Sequence, residues 1–242
     1  MNWLNNLASF SLNIGRWFGV PIYVHWTWFA LVGVMACVSL STFLMLLGIF
    51  AIILLHEFGH AFAMKRCGSL VQGVVIYPMG GVARGEIPSE NEFTITVAGP
   101  LVNLFLVPFL YSLSVYGGAS SGYFNDLQIT NLSLLVFNLI PMYPLDGGRL
   151  LRSILAKHFT LYKATSIAFK VTCVCSCLLA VIGVMTMHLL LVVIAAFVYY
   201  SADQEMKYME RLSTDNVMGV IQDSHRLVHD IEERLQRIQE NR

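Results

Sequence analysis

Residues 52–66, IILLHEFGHAFAMKR, place two histidines and a glutamate inside a run otherwise fit for lipid. His56 and His60 are four residues apart, so on a helix of about 3.6 residues per turn both imidazoles share one face, one turn apart. Two nitrogens at that spacing suit one metal ion. Glu57 follows the first histidine at the edge of that face, within reach of a metal-bound water without being a ligand. In a soluble helix the same pattern is often a solvated cluster of charges. Here Leu54, Leu55, Phe58, Ala61 and Phe62 leave no solvated face, and ionisable groups at membrane depth are costly unless bound or paired.

The composition sets the solvent that these groups meet. Of 242 residues, 56% are hydrophobic and 12% charged, about half the usual charged share, which reads as a membrane protein. Net charge is zero, so there is no basic surface for nucleic acid. Cys37, Cys67, Cys173, Cys175 and Cys177 lie in or beside apolar runs and read as packing residues rather than disulfides or ligands. The asparagines and serines of the first stretch give no pattern for a cleaved signal, so that stretch is expected to remain.

Hydropathy and breaks predict an all-α polytopic membrane protein of about six transmembrane helices, with a small membrane-associated β-hairpin after the second. Residues 1–19, with Trp3, Trp17 and Phe18, read as an interfacial entry segment, and the first span opens near residue 22. Ser39, Ser41 and Thr42 turn the chain back into a second span over about 43–64. Residues 68–92 are broken by Gly and Pro; Val71, Val74, Val75 and Ile76 before a Gly-Gly turn predict short strands. Residues 70–84 then form a hairpin near the mouth of the site, whose edge suits an extended peptide.

A third span covers about 93–115 and carries Asn103, polar at membrane depth. A loop is expected over 116–126, then a fourth span from about 127. Pro141 and Pro144 must end that helix, since proline lacks the amide proton and clashes with the preceding turn. Irregular backbone at depth is tolerated only where protein or a wet cavity covers it. Asp146 follows, with Gly147 and Gly148 allowing close backbone approach. An aspartate before a helix is a natural cap, but an uncompensated carboxylate at this depth needs a cation. Asp146 is therefore assigned as the third metal ligand, completing the set that a catalytic zinc uses beside an open position.

Two more spans, about 164–183 and 186–203, complete the membrane domain, residues 1–203. Residues 204–242 read as a cytoplasmic amphipathic tail with a short apolar seam of Val217, Ile221, Val228, Ile231, Leu235 and Ile238, suited to self-association. His225 and His229 repeat the four-residue spacing on an exposed polar helix and read as solvated. On this layout all 15 Lys and Arg fall on one side or at its boundary. By the positive-inside rule that side is cytoplasmic and holds both termini, in a cell (inner) membrane. From His56 to Lys65 is about 14 Å along the helix, which submerges the site.

HEFGH, PMGG, AGPLVN and NLIPMYPLDGGR, in this order and in the right spans, together resemble the site-2 protease family of intramembrane zinc metalloproteases, over about residues 20–160. The resemblance implies one zinc ion per chain held by His56, His60 and Asp146, Glu57 as catalytic base and acid, and Asn138 as a substrate-positioning or oxyanion group. It also implies a single-span membrane-protein substrate cut in or near its membrane segment (regulated intramembrane proteolysis), in contact with membrane lipid. The competing classes are a metal transporter, which gives no reason for Glu57, and a non-catalytic substrate-binding scaffold, which gives none for the complete chemical set.

Overall fold

The computed structural model describes residues 10–77, 80–85 and 87–240, with side chains described for all of these except 215–217 and 219–240. Two strands, β1 (Ser11–Trp17) and β2 (Val20–His25), lead into helix α1 (Trp26–Val38) and then α2 (Leu40–Arg66). After α2 come β3 (Val71–Tyr77) and β4 (Gly80–Gly85), then α3 (Glu92–Tyr116), α4 (Ser121–Leu139), α5 (Asp146–Leu155), α6 (Leu161–Met185) and α7 (Leu189–Glu240).

Among the described residues four helices are long and apolar enough to cross a membrane: α2, α3, α6 and the Leu189–Thr214 part of α7. The expected first span is the 13-residue α1, which at about 1.5 Å per residue is shorter than a hydrocarbon core of about 30 Å. The expected fourth is α4, whose 19 residues include Asn125, Asp126, Gln128, Asn131 and Asn138. Large apolar side chains remain exposed along the helices, among them Phe105, Tyr116, Leu178 and Leu190. Water would not tolerate so much apolar surface on one chain; hydrocarbon does.

The breaks between helices have local causes. Ser39 is fully extended, ends α1 and caps α2, its Oγ accepting from Thr42 N at 3.2 Å, so one residue reverses the chain. A turn at Thr186–His188, with Met187 at φ 56°, joins α6 to α7. The loop expected over 116–126 is shorter: a 3-10 turn over Gly118–Ser120 leads straight into α4. The side chains of the apolar seam at Val217 and beyond, and of His225 and His229, lie outside the described residues, as does Trp3.

The expected hairpin after α2 belongs to a larger sheet, in the order β1-β2-β3-β4. The entry segment is not merely interfacial: residues 11–25 form an antiparallel hairpin closed by Phe18 and Gly19, both at positive φ, the conformation of a type I′ turn. β2 then pairs parallel with β3 (Ile22 opposite Val74), and β3 antiparallel with β4 (Val75 opposite Val82). Residues 71–76 are therefore an interior strand, and the free edges are β1 and β4. The sheet packs along α2. Val20, Ile22, Val74 and Ile76 pack with Leu54, Ala61, Phe50 and Phe58, alongside the histidines on α2. Lys65 Nζ donates to Phe18 O at 2.8 Å and pins the first hairpin to the basic end of α2.

A second buried acid joins the helices. Glu92, 2% exposed at the start of α3, is held by Arg152 of α5, whose Nε lies 3.0 Å from Oε1, and Arg152 Nη1 reaches Glu205 of α7 at 2.6 Å. The guanidinium also lies over the Tyr143 ring, 5.2 Å from its centroid. Removing one partner of a buried pair strands the other charge, so Glu92→Leu is expected to destabilise the fold by about 3 kcal/mol or more. Thermal unfolding in detergent reads this; an unshifted transition would mean that the pair holds nothing together.

Candidate metal centre

The two-turn stretch of α2 that carries His56 and His60 is pressed against α3 by matched glycines. A side-chain carbon at Gly59 would sit 2.8 Å from Ala98 O, and one at Gly99 would run into the His60 ring and approach His56 Cε1 to 2.9 Å. Small residues at both points let the backbones close up, as between membrane helices generally. Gly99 is thus the floor on which the imidazoles rest. Gly99→Ala is expected to push both rings aside and lower metal affinity by at least about tenfold, since half an ångström of misplacement is enough to spoil a ligand set. Zinc retention during chelator titration measures it, and full retention would refute this packing role.

The third group arrives from the break between α4 and α5. Pro141 and Pro144 end the helix as expected, with a cis Tyr143–Pro144 peptide, and Asp146 opens α5 after Leu145 as N-cap. Gly147 and Gly148 are buried against the loop backbone; a side-chain carbon at Gly148 would lie 2.6 Å from Tyr143 N. The loop therefore folds flat under the first turn of α5. Tyr143 N donates to Thr172 Oγ1 of α6 at 3.0 Å, fixing the loop from the other side.

Asp146 Oδ2 lies 3.1 Å from His56 Nε2 and 3.2 Å from His60 Nε2, and the two nitrogens are 3.2 Å apart. Both histidines are buried. His60 Nδ1 donates to the carbonyl of Ile95 at 2.9 Å, and since a carbonyl only accepts, the neutral ring presents a bare Nε2 to the cluster. His56 Nδ1 meets Asn103 Oδ1 of α3. Asp146 Oδ2 is buried without a hydrogen-bond partner. Lone pairs crowded into a triangle of this size repel unless a cation sits among them. Tetrahedral zinc with ligand bonds of about 2.0–2.1 Å separates its ligand atoms by about 3.3 Å. The donor set thus fits zinc in type and spacing. Among the described residues these three are the one group of histidine, cysteine, aspartate or glutamate that could hold a metal ion. Glu92, although buried, is taken up by Arg152 and stands outside it.

Glu57 follows His56 on α2 and is held by the sheet. Its Oε2 accepts from Ala83 N of β4 at 2.9 Å, and its side chain runs over Gly81, where a side-chain carbon would collide with it. Asn138 is half-buried in the last turn of α4, with no side-chain hydrogen bond to a described residue. The residues that the sequence did not single out for the site are Ile95, Asn131 and Ala83, while Gly99 stands within AGPLVN with no role assigned to it. For α3 a signal existed: Glu92, Ile95, Gly99 and Asn103 recur at three- and four-residue spacing and are all buried. Ala83 and Asn131 left none.

The comparisons with known proteins extend well beyond the histidine helix. The family model of peptidase family M50 matches residues 44–120 and 118–180. A Methanocaldococcus jannaschii protein named zinc metalloprotease is 34% identical over 211 residues, covering 84% of this chain and 62% of its own length. Stage IV sporulation protein FB of Bacillus subtilis is 34% identical over 138 residues, 55% of this chain and 48% of that protein. The chain thus spans less than two thirds of either relative. The solved site-2 protease from M. jannaschii superposes with a TM-score of 0.63 at 32% identity, covering 81% of this chain and 95% of that one. Sequence and fold agree over most of the chain rather than at one motif, and the chain belongs to peptidase family M50, the site-2 protease family.

Proposed function

We propose that this chain is an intramembrane zinc metalloprotease that cuts a single-span membrane protein in or near its membrane segment, as in regulated intramembrane proteolysis. The observation that carries this reading is the convergence of two imidazole nitrogens and an otherwise unpartnered carboxylate oxygen, with Glu57 the next residue after His56 on the same helix. His56, His60 and Asp146 would hold the ion. When bound, zinc supplies Lewis acidity that acidifies water and polarises a carbonyl. Glu57 takes the water proton and returns it to the leaving amine. Asn138 positions the scissile segment or its developing oxyanion. The membrane domain, residues 1–203, has six spans, α1 and α4 completing the four long apolar helices. Both termini face the cytoplasm across a cell membrane, and the tail from 204 is cytoplasmic and able to self-associate.

A transmembrane helix is a poor substrate because its backbone is already hydrogen-bonded, so the segment to be cut must unwind. The free edge of β4 supports an account of how it is then held, since an extended peptide can add to an open edge beside Glu57. Ala83 faces the packed core with Phe58, so Val82 and Arg84 point the other way along the pleat. Cysteines at Val82 and Arg84 are expected to crosslink to a cysteine near the cut site of a co-expressed single-span substrate, with Ala83→Cys capturing little. Capture confined to α3 around Phe105, with none from β4, would mean that the substrate docks as a helix.

A further inference from the structure

Asn103 and Asn131 are fully buried between α3 and α4, and their hydrogen bonds have a direction. Asn131 Nδ2 donates to the backbone carbonyl of Asn103 at 2.9 Å. That carbonyl can only accept, so the nitrogen of Asn131 must be the atom facing it. Its oxygen is thereby turned to the Asn103 side chain, where Asn103 Nδ2 donates to it at 2.8 Å. An amide is planar with one nitrogen and one oxygen, so Asn103 is left presenting Oδ1 to His56 Nδ1. An oxygen there requires the hydrogen of His56 on Nδ1 and leaves Nε2 bare.

We propose that Asn131, whose side-chain hydrogen bonds among the described residues run to Asn103 and not to the triangle, sets through Asn103 the ring tautomer in which His56 offers a bare Nε2 to the metal. Both are positioning residues. His60 gets the same result directly from a backbone carbonyl. His56 lies one turn earlier, where its Nδ1 meets a side-chain amide that could face either way, and the second asparagine removes that choice. Were Asn103 reversed, its nitrogen would face His56 and demand the other tautomer, with a hydrogen on Nε2 pointing into the ligand cluster. The oriented acceptor also makes the imidazole a better ligand, as hydrogen-bonded outer partners of metal-bound histidines do.

This inference rests on the zinc reading above, and its test separates the two. Zinc affinity of the purified full chain is measured by competition with a chelator of known affinity, and folding by thermal unfolding. His56→Ala losing zinc establishes the ligand; if it does not, the zinc reading itself fails. Given that loss, Asn103→Leu and Asn131→Leu are each expected to weaken zinc binding by about 10- to 100-fold. Asn103→Asp is expected to bind zinc more tightly than Asn103→Leu, because either carboxylate oxygen accepts from His56 Nδ1, even though the other then faces Asn131 Oδ1 and loses the hydrogen bond made there. For the same reason Asn131→Leu is expected to cost little when added to Asn103→Asp. A packing role predicts the opposite: Leu tolerated better than Asp at 103, and an equal loss from Asn131→Leu in both backgrounds. Either result overturns the proposal, as does a folded Asn131→Leu chain with unchanged affinity. Should Asn131→Leu not fold, the Asn103 pair decides, and Asn103→Asp binding no better than Asn103→Leu refutes it.

Discussion

Glu57→Gln is expected to keep its zinc and its fold while losing about 10³-fold or more in cleavage rate, the upper part of the range for removing a general acid–base group. The one hydrogen bond that the Glu57 carboxylate makes among the described residues is with the backbone of β4, and glutamine can keep it. Glu57 stands next to the first histidine on α2, its carboxylate accepts from Ala83 N, and Gly81 leaves room for its stem. Glutamine fills the same volume and still offers an oxygen to Ala83. An amide neither takes a proton from water nor returns one to a leaving amine, so the loss falls on chemistry. Metal analysis and single-turnover cleavage of a co-purified single-span substrate, read on the same preparation, test this. Near-normal turnover with zinc bound would remove Glu57 from the mechanism and with it the proposed reaction.

The purified chain is expected to carry close to one zinc, and His56→Ala, His60→Ala and Asp146→Ala each to reduce affinity by at least about 100-fold, more than loss of an outer-shell partner costs. The three atoms lie within 3.2 Å of one another, with His60 committed at its other nitrogen and Asp146 Oδ2 committed to nothing. Removing one leaves two ligands, too few for a stable catalytic site. Affinity should also fall as the medium is acidified, because protons compete for the same lone pairs. Folded variants that retain a full equivalent of zinc would place the metal elsewhere.

Several features were legible in the residues because their causes are local. Two histidines four apart share a face on any helix, the paired prolines after Asn138 mark a helix end although Pro100 and Pro108 sit inside α3, and the polar residues at 39–42 mark the break that Ser39 makes before α2. Asp146 could be picked out since a carboxylate at membrane depth has few explanations. The valines of 71–76 announced a strand for the same kind of reason.

What the sequence could not determine is which surfaces face one another, because that depends on contacts far apart in the chain. The β2–β3 pairing joins Ile22 to Val74 across more than fifty residues, and it turned an expected edge strand into an interior one. The closing turn at Phe18 put a phenylalanine at positive φ, which local propensity disfavours and the docked Lys65 helps to hold. Glu92 and Arg152 are sixty residues apart and look like ordinary boundary charges until α3 and α5 meet. Gly99 reads as a small helix residue until the His60 ring lies on it. Residue types and short spacings chose the metal chemistry; the tertiary structure alone brought β4 to Glu57, the Ile95 carbonyl to His60 and the asparagine pair to His56, since only close packing brings groups so far apart in sequence within hydrogen-bonding distance.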